Sequence, residues 1–295
     1  MPTTSATQIL RQLTGNPDDI ALRWGRETAK FTPDAPLLTS FKDIDLKSLT
    51  NFGLLRIPYV AVSLDGKYVP EAEYTETRYA WLSRAKLSGY VVDSKLKELI
   101  TQGATVVFHL VEQWIPPVRD VCAQLSSGLA AESGGTIFYT PQSYQGISPH
   151  RDDVHVFVFQ LEGGKTFLVE PTAPTTGDWT TEVDRDAFYR DRQLLHEYSM
   201  TEGEGLYLPP GVAHTAFSEK QPSLHLSIWV RTPKVGDLIY LAALKLARSF
   251  PVNSFAPPPG GPRESWARDI MAESARRLAA LDTQDLLVKL AHHKR

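Results

Sequence analysis

His150 and Asp152 stand two apart in Pro149-His150-Arg151-Asp152. On an extended segment, residues two apart project to the same side. A third ligand-type residue, His214, follows Tyr207-Leu208-Pro209-Pro210-Gly211-Val212-Ala213, which reads as a strand running into a tight turn. Two imidazoles and one carboxylate on a single face of a metal leave other positions open, the arrangement that suits non-haem iron(II) and its oxygen chemistry. Zinc accepts the same ligand types, so these residues alone leave the metal open. A His and an Asp two apart recur by chance, and a lone turn histidine is ordinary. What gives the set its weight is its context: a β-rich region, the Pro-Gly turn before His214, and a nearby lysine.

That lysine is Lys165. Val154–Leu161, Glu162-Gly163-Gly164 and Lys165–Val169 read as a hairpin turning on the two glycines. In that register Glu162 and Lys165 oppose each other and share the interior face of His150 and Asp152. A buried ammonium is costly unless paired, and a ligand carboxylate would supply the partner. A lysine reaching solvent from a hairpin tip is the other reading the spacing allows. Strand parity turns His155 away from the metal set. His109 and His196 sit in predicted strands without partners, and His292 and His293 lie in a charged tail. His225 stays open, because Leu224–Val230 can line the same interior.

The elements that must position these residues fall into three stretches. Residues 1–90 read as mixed short elements, including a capped helix near Ser5–Leu13 and a strand over Leu54–Val62. Residues 91–232 begin with a helix capped at Asp93 or Ser94 and stopped by Gly103, a buried strand over Thr105–Leu110, and a helix opened by Pro116 or Pro117. Short β-rich runs follow at Thr136–Thr140, Val154–Leu161, Thr166–Val169, Leu194–Met200, Gly205–Leu208 and Leu224–Val230. Such spacing predicts a sandwich or barrel rather than a parallel sheet. Residues 233–295 return to helix, with a proline-rich break at Pro257–Pro262, and suggest a helical pair that packs on itself or on a second copy.

Composition narrows the function classes. The chain has 295 residues, 31 basic and 34 acidic, a net charge of -3, and no Lys/Arg run that would track phosphates, which argues against nucleic acid. Cys122 is the single cysteine, so no intrachain disulfide is possible; it lies on the apolar stripe Val118, Val121, Cys122, Leu125 and reads as packing. No apolar run is long enough to span a bilayer, and the start lacks the blocks of a signal peptide, so a cytoplasmic setting is expected.

At these residues the sequence resembles the JmjC-type 2-oxoglutarate oxygenases, within the cupin-like branch that includes ribosomal oxygenases and the asparaginyl hydroxylase of hypoxia signalling. The matching text runs through Tyr139-Thr140-Pro141, Gln145-Gly146, Pro149-His150-Arg151-Asp152-Asp153, Val156–Lys165, Leu206–His214 and Leu224-His225-Leu226-Ser227. The resemblance implies a mainly β fold with added helices: a double-stranded β-helix, or jelly roll. It implies iron(II) on His150, Asp152 and His214, with Lys165 receiving the distal carboxylate of 2-oxoglutarate. The expected reaction with O2 is oxidative decarboxylation of 2-oxoglutarate coupled to hydroxylation of a C–H bond. Two departures stand out. Thr136 and Phe138 occupy the positions where ribosomal oxygenases usually carry an Asn and a Tyr, so Thr136 itself, Tyr139, Thr140 or Ser227 is expected to supply the cosubstrate contacts, with Trp229 as pocket wall. The residues after Arg231 leave room for helices but not also for the winged-helix domain of ribosomal oxygenases.

The expectation is therefore an iron(II)- and 2-oxoglutarate-dependent hydroxylase, forming a homodimer through its C-terminal helices. Its substrate is a small amino-acid-like metabolite or a protein side chain, with the short end favouring the metabolite. A ribosomal-protein hydroxylase and a non-catalytic cupin that binds a metal or ligand are the alternatives. Arg151 is expected to be solvated, and Thr172–Gln193 to cover the substrate.

Overall fold

The computed structural model describes residues 6–50, 55–81, 84–129, 131–172, 181–218, 220–251, 256, 261–283, 285, 286 and 289. Among them are thirteen strands. Before the barrel come β1 (Ala29–Phe31), β2 (Val60–Leu64), β3 (Lys67–Tyr68), β4 (Thr75–Ala80) and β5 (Ala85–Val91), then β6 (Thr105–Phe108) and β7 (Glu132–Thr140). The metal-motif region supplies β8 (His150–Arg151) and β9 (His155–Val169), followed by β10 (His196–Thr201), β11 (Gly205–Leu208), β12 (Ala213–Phe217) and β13 (Ser223–Arg231).

The larger sheet runs β1-β11-β9-β13-β7-β6-β2-β3, while β10, β12 and β8 form a second face that also joins β9. β9 makes this possible by serving both faces. Its first half pairs with β11 and β13, and its second half with β10 and β12. This is the predicted jelly roll, with Val156, Val158, Phe167, Val169, Met200, Leu206, Leu208, Val212 and Ala216 packed between the faces.

The hairpin expected at Gly163-Gly164 is not there, because β9 is one continuous strand of 15 residues. Gly163 marks a bend, not a turn: its φ is +68° and an added Cβ would lie 1.8 Å from the Pro222 carbonyl oxygen. The pairing slips beside it, His225 facing Gln160 while Leu224 faces Glu162, so Leu161 is an extra residue on β9. That slip reverses the parity. Val154, Val156 and Val158 line the interior before it; Lys165 and Phe167 line it afterwards. Lys165 thus faces inward as expected, through a bulge and not through a turn.

Val156–Phe159, in the first half of β9, is a continuous apolar run because both of its sides are covered. On its outer side Trp24 stacks on His155 at 4.0 Å, while Phe31 meets Phe157 and Phe159 edge-on and Phe41 meets Phe159. The helix Pro116–Leu129 buries Val118, Val121, Cys122 and Leu125, the stripe read from sequence. The strand expected over Leu54–Val62 begins only at Val60, because Pro58 has no N–H for a ladder and sits in a turn; Leu54 itself lies outside the described residues. Thr172–Gln193 contains the helix Arg185–Arg190, with residues 173–180 outside the described set.

Residues 232–295, with 129–132, form a separate compact unit. In it the helices Val235–Arg248 and Arg263–Ala279 come together, and Leu241, Ala242 and Leu286 are buried with Leu281 against them. Most of the expected proline-rich break, 257–260, and His292 and His293 lie outside the described residues. No helix among the described residues is long and apolar enough to cross a membrane.

Candidate metal centre

β8 and β12 bring the separated motifs together by direct pairing, with His150 opposite His214. The imidazole centroids lie 4.4 Å apart. Asp152 approaches both rings, Oδ1 at 3.8 Å from His150 Nε2 and Oδ2 at 3.6 Å from His214 Nε2. The three ligand atoms all fall within 4.8 Å of one another, close enough to share one ion.

The two histidines are held alike. His150 Nδ1 lies 2.9 Å from the Ser148 carbonyl oxygen and His214 Nδ1 lies 3.0 Å from that of Val212. A carbonyl can only accept, so Nδ1 carries the proton and Nε2 presents its lone pair to the metal position. Burial, and then His150 alongside, hold the His214 pKa below its ordinary value, which keeps the ring neutral as a ligand must be. The donor set and its tautomers fit a divalent ion.

Arg151 is not solvated, contrary to expectation. Pointing away from the metal set, it forms a two-pronged pair with Glu170, through Nη1 to Oε2 and Nη2 to Oε1 at 2.8 Å, and also donates to the Gly211 carbonyl at 2.8 Å. Glu170 in turn accepts from the Ala213 N–H at 3.3 Å. One carboxylate therefore ties the residue between the first two ligands to the residue preceding the third.

The triad opens into a cavity of about 420 Å³. Its walls are largely apolar, with Val156, Val158, Phe138, Phe167 and Trp229 among them. Lys165, 3% exposed, is set into that wall and donates to Thr140 Oγ1 at 2.8 Å, which also accepts from Thr105 at 3.0 Å. Burial pushes the Lys165 pKa down to about 7. Gly146 makes room for the ammonium, since a Cβ there would meet Lys165 Nζ at 3.3 Å and the Ala216 carbonyl at 3.1 Å.

Of the other expected contacts, Thr136 and Ser227 line the cavity and Tyr139 does not. Alternation along β7 turns Thr136 and Phe138 inward and Tyr139 outward, so Thr140 is the neighbour that reaches Lys165. His155 points away, stacked under Trp24 and 2.8 Å from the Tyr207 hydroxyl, as parity predicts. The sequence placed His109 in a strand without a partner and left His225 open. His109, at the end of β6, lines the cavity, and so does His225, whose alternation with Ser227 and Trp229 on β13 was the available signal. From the Thr172–Gln193 stretch, Thr181 reaches the cavity wall and its carbonyl accepts from the Arg151 N–H at 3.0 Å.

Residues 112–238 match the family model of the JmjC domain. This chain carries a JmjC domain. The domain is similar to ribosomal oxygenase 2 of Bos taurus, 32% identical over 114 residues, covering 38% of this chain and 24% of that protein. It is also similar to the bifunctional lysine-specific demethylase and histidyl-hydroxylase NO66 of Drosophila melanogaster, 34% identical over 118 residues, covering 38% of this chain and 18% of that one. The match thus spans about a quarter or less of these relatives' length. Among solved structures, Escherichia coli YcfD shares the fold at a TM-score of 0.57 and 17% identity, over 89% of this chain and 68% of that one. A second structure, the E. coli ribosomal oxygenase YcfD with cobalt and 2-oxoglutarate, aligns at 0.53 and 17% identity, over 89% and 67%.

Proposed function

We propose that this JmjC protein is an iron(II)- and 2-oxoglutarate-dependent oxygenase that hydroxylates a protein side chain. The observation that carries the reading is one cavity lined both by the His150, Asp152 and His214 donors and by the buried Lys165 ammonium. Bound iron(II) would supply oxygen activation. The chain's own residues do the rest: three donors fix the ion on one face, Lys165 pairs with the distal carboxylate of the cosubstrate, and the apolar walls keep water out. Thr136 and Ser227 are placed to add polar contacts; Tyr139 drops out of that role. The relatives' names, ribosomal oxygenase and histidyl-hydroxylase, move the preference from a free metabolite to a protein substrate such as a ribosomal protein.

The test is 2-oxoglutarate turnover under air with added iron(II). Turnover should be present in the wild type and lost in His150→Ala and His214→Ala; full activity in both variants would refute the assignment. Incubation with ribosomal proteins, followed by mass spectrometry, should reveal a gain of one oxygen on one component. A non-catalytic metal-binding protein on the same fold would bind zinc and show no charge-transfer band with iron(II) and 2-oxoglutarate. A homodimer through the helical unit and a cytoplasmic setting belong to the same proposal. The exposed Val235, Leu238, Ile239 and Tyr240 support the first, and light scattering in solution tests it.

A further inference from the structure

A second buried nitrogen base, that of His225, lines the same cavity as Lys165. β13 turns His225 into the cavity wall, 4% exposed. Its ring lies flat on Phe138, centroids 4.8 Å apart with the planes at 11°, and meets Phe167 edge-on at 5.8 Å. Two aromatic neighbours fix the plane of the imidazole. Among the described residues, its Nδ1 is buried and has no hydrogen-bond partner. Burial, then the Lys165 ammonium and His214, hold its pKa well below the ordinary value, so the ring is neutral. A neutral imidazole carries one N–H and one lone pair. Leaving such a group unsatisfied is destabilising, and a phenyl ring would fill the same slot against Phe138 without that cost. A polar ring held in an apolar slot beside a buried ammonium has the character of a preorganised binding group.

We propose that His225 is a second carboxylate-binding residue of this cavity, its imidazole N–H acting with the Lys165 ammonium on the distal carboxylate of the cosubstrate. The inference rests on the reading of Lys165 as a carboxylate partner. A neutral donor suits that place, because it adds a hydrogen bond without setting a second cation against Lys165. It also supplies polarity on the wall where Phe138 offers none.

The experiment measures anaerobic binding of 2-oxoglutarate to the iron(II)-loaded protein, by calorimetry and by charge-transfer absorption. Four proteins are compared: wild type, His225→Phe, His225→Gln and His225→Asn. The Phe variant keeps the stack on Phe138 and removes the N–H, whereas the two amides offer an N–H within reach of one or the other ring nitrogen. Binding should weaken roughly 10–100-fold in the Phe variant, the worth of a hydrogen bond to a charged group. At least one amide variant should stay within about fivefold of wild type, as a retained donor requires. The Phe variant should unfold at or above the wild-type temperature, which separates lost binding from lost folding. As a control, 2-oxopentanoate, with a methyl in place of the distal carboxylate, should bind wild type and the Phe variant alike. Unchanged 2-oxoglutarate binding in the Phe variant would overturn the proposal. Equal losses in the Phe variant and both amides would do so too, assigning the ring a packing role. Failure of the wild type to bind 2-oxoglutarate would instead overturn the underlying oxygenase reading.

Discussion

Replacing Lys165 with Met should make the ligand-free protein more stable while removing its cosubstrate binding. Met keeps the length of the side chain and its fit against the cavity wall, and removes only the ammonium. Burial lowers the Lys165 pKa from its ordinary 10.5 to about 7. At 1.36 kcal/mol per pKa unit this shift costs the folded chain about 5 kcal/mol with Lys165 fully charged, and about 4 kcal/mol at pH 7, where about half of the folded chains have released the proton. Losing the hydrogen bond to Thr140 returns about 1 kcal/mol of that. The net gain is about 3 kcal/mol, or roughly 6–12 °C in melting temperature for a chain of this size. Its pH dependence has a definite sign. Between about pH 7 and 10.5 the unfolded chain holds a proton that the folded chain has released, so wild-type stability climbs with pH across that window. The advantage of the Met variant is therefore complete at or below about pH 7 and fades towards pH 10.5. Denaturant titrations of metal-free protein at several pH values provide the assay, with 2-oxoglutarate affinity measured in parallel. Affinity should fall by 2 kcal/mol or more, about 30-fold at least, as expected for one lost partner of a buried charge pair. A Met variant that is less stable than wild type at pH 7, or that binds 2-oxoglutarate as tightly, would refute the reasoning.

Three further outcomes are expected. Glu170→Ala should cost about 1–3 kcal/mol of stability, because it strips Arg151 of its carboxylate partner and Ala213 of an acceptor, and should weaken iron(II) binding roughly 10–100-fold by loosening β8 against β12; anaerobic metal titration reads the second effect. Gly163→Ala should cost at least about 2 kcal/mol in denaturant unfolding, since the residue has φ +68° and its Cβ would strike the Pro222 carbonyl. On acidification, His155, lowered by burial to about 4, stays neutral in the folded chain while the unfolded chain takes up a proton below about pH 6.5. Stability should therefore fall as the pH drops from about 6.5 to 4, by at most about 3 kcal/mol from this residue; a flat stability profile over that range would contradict the burial argument.

Much of the barrel was legible because alternation and turn residues are local. Gly205–Leu208 was read at its observed limits, and the stripe from Val118 to Leu125 is the buried face of its helix. What failed to read was the path of β9. Two adjacent glycines look like a turn, and only the pairing of β9 with strands on both faces shows why the chain runs straight through. Arg151 failed for a related reason: its partner Glu170 lies 19 residues away, and no local pattern links them. Burial of His109 depends on which strands stand opposite, so its place in the cavity was hidden, whereas alternation along β13 left His225 open as a candidate.

By itself the sequence determined the chemistry on offer: two histidines and an aspartate at a spacing that faces them together, a lysine nearby, and strands short enough to roll up. Those properties follow from residue type and two-residue periodicity, which do not depend on the rest of the chain. Only the tertiary structure decided which side chains share the cavity. It set His150 against His214 by strand pairing, turned Lys165 inward through the bulge at Leu161, and stacked His225 on Phe138. Register, bulges and burial arise from contacts between segments far apart in sequence, and the partner across the sheet, not the neighbour along the chain, sets them.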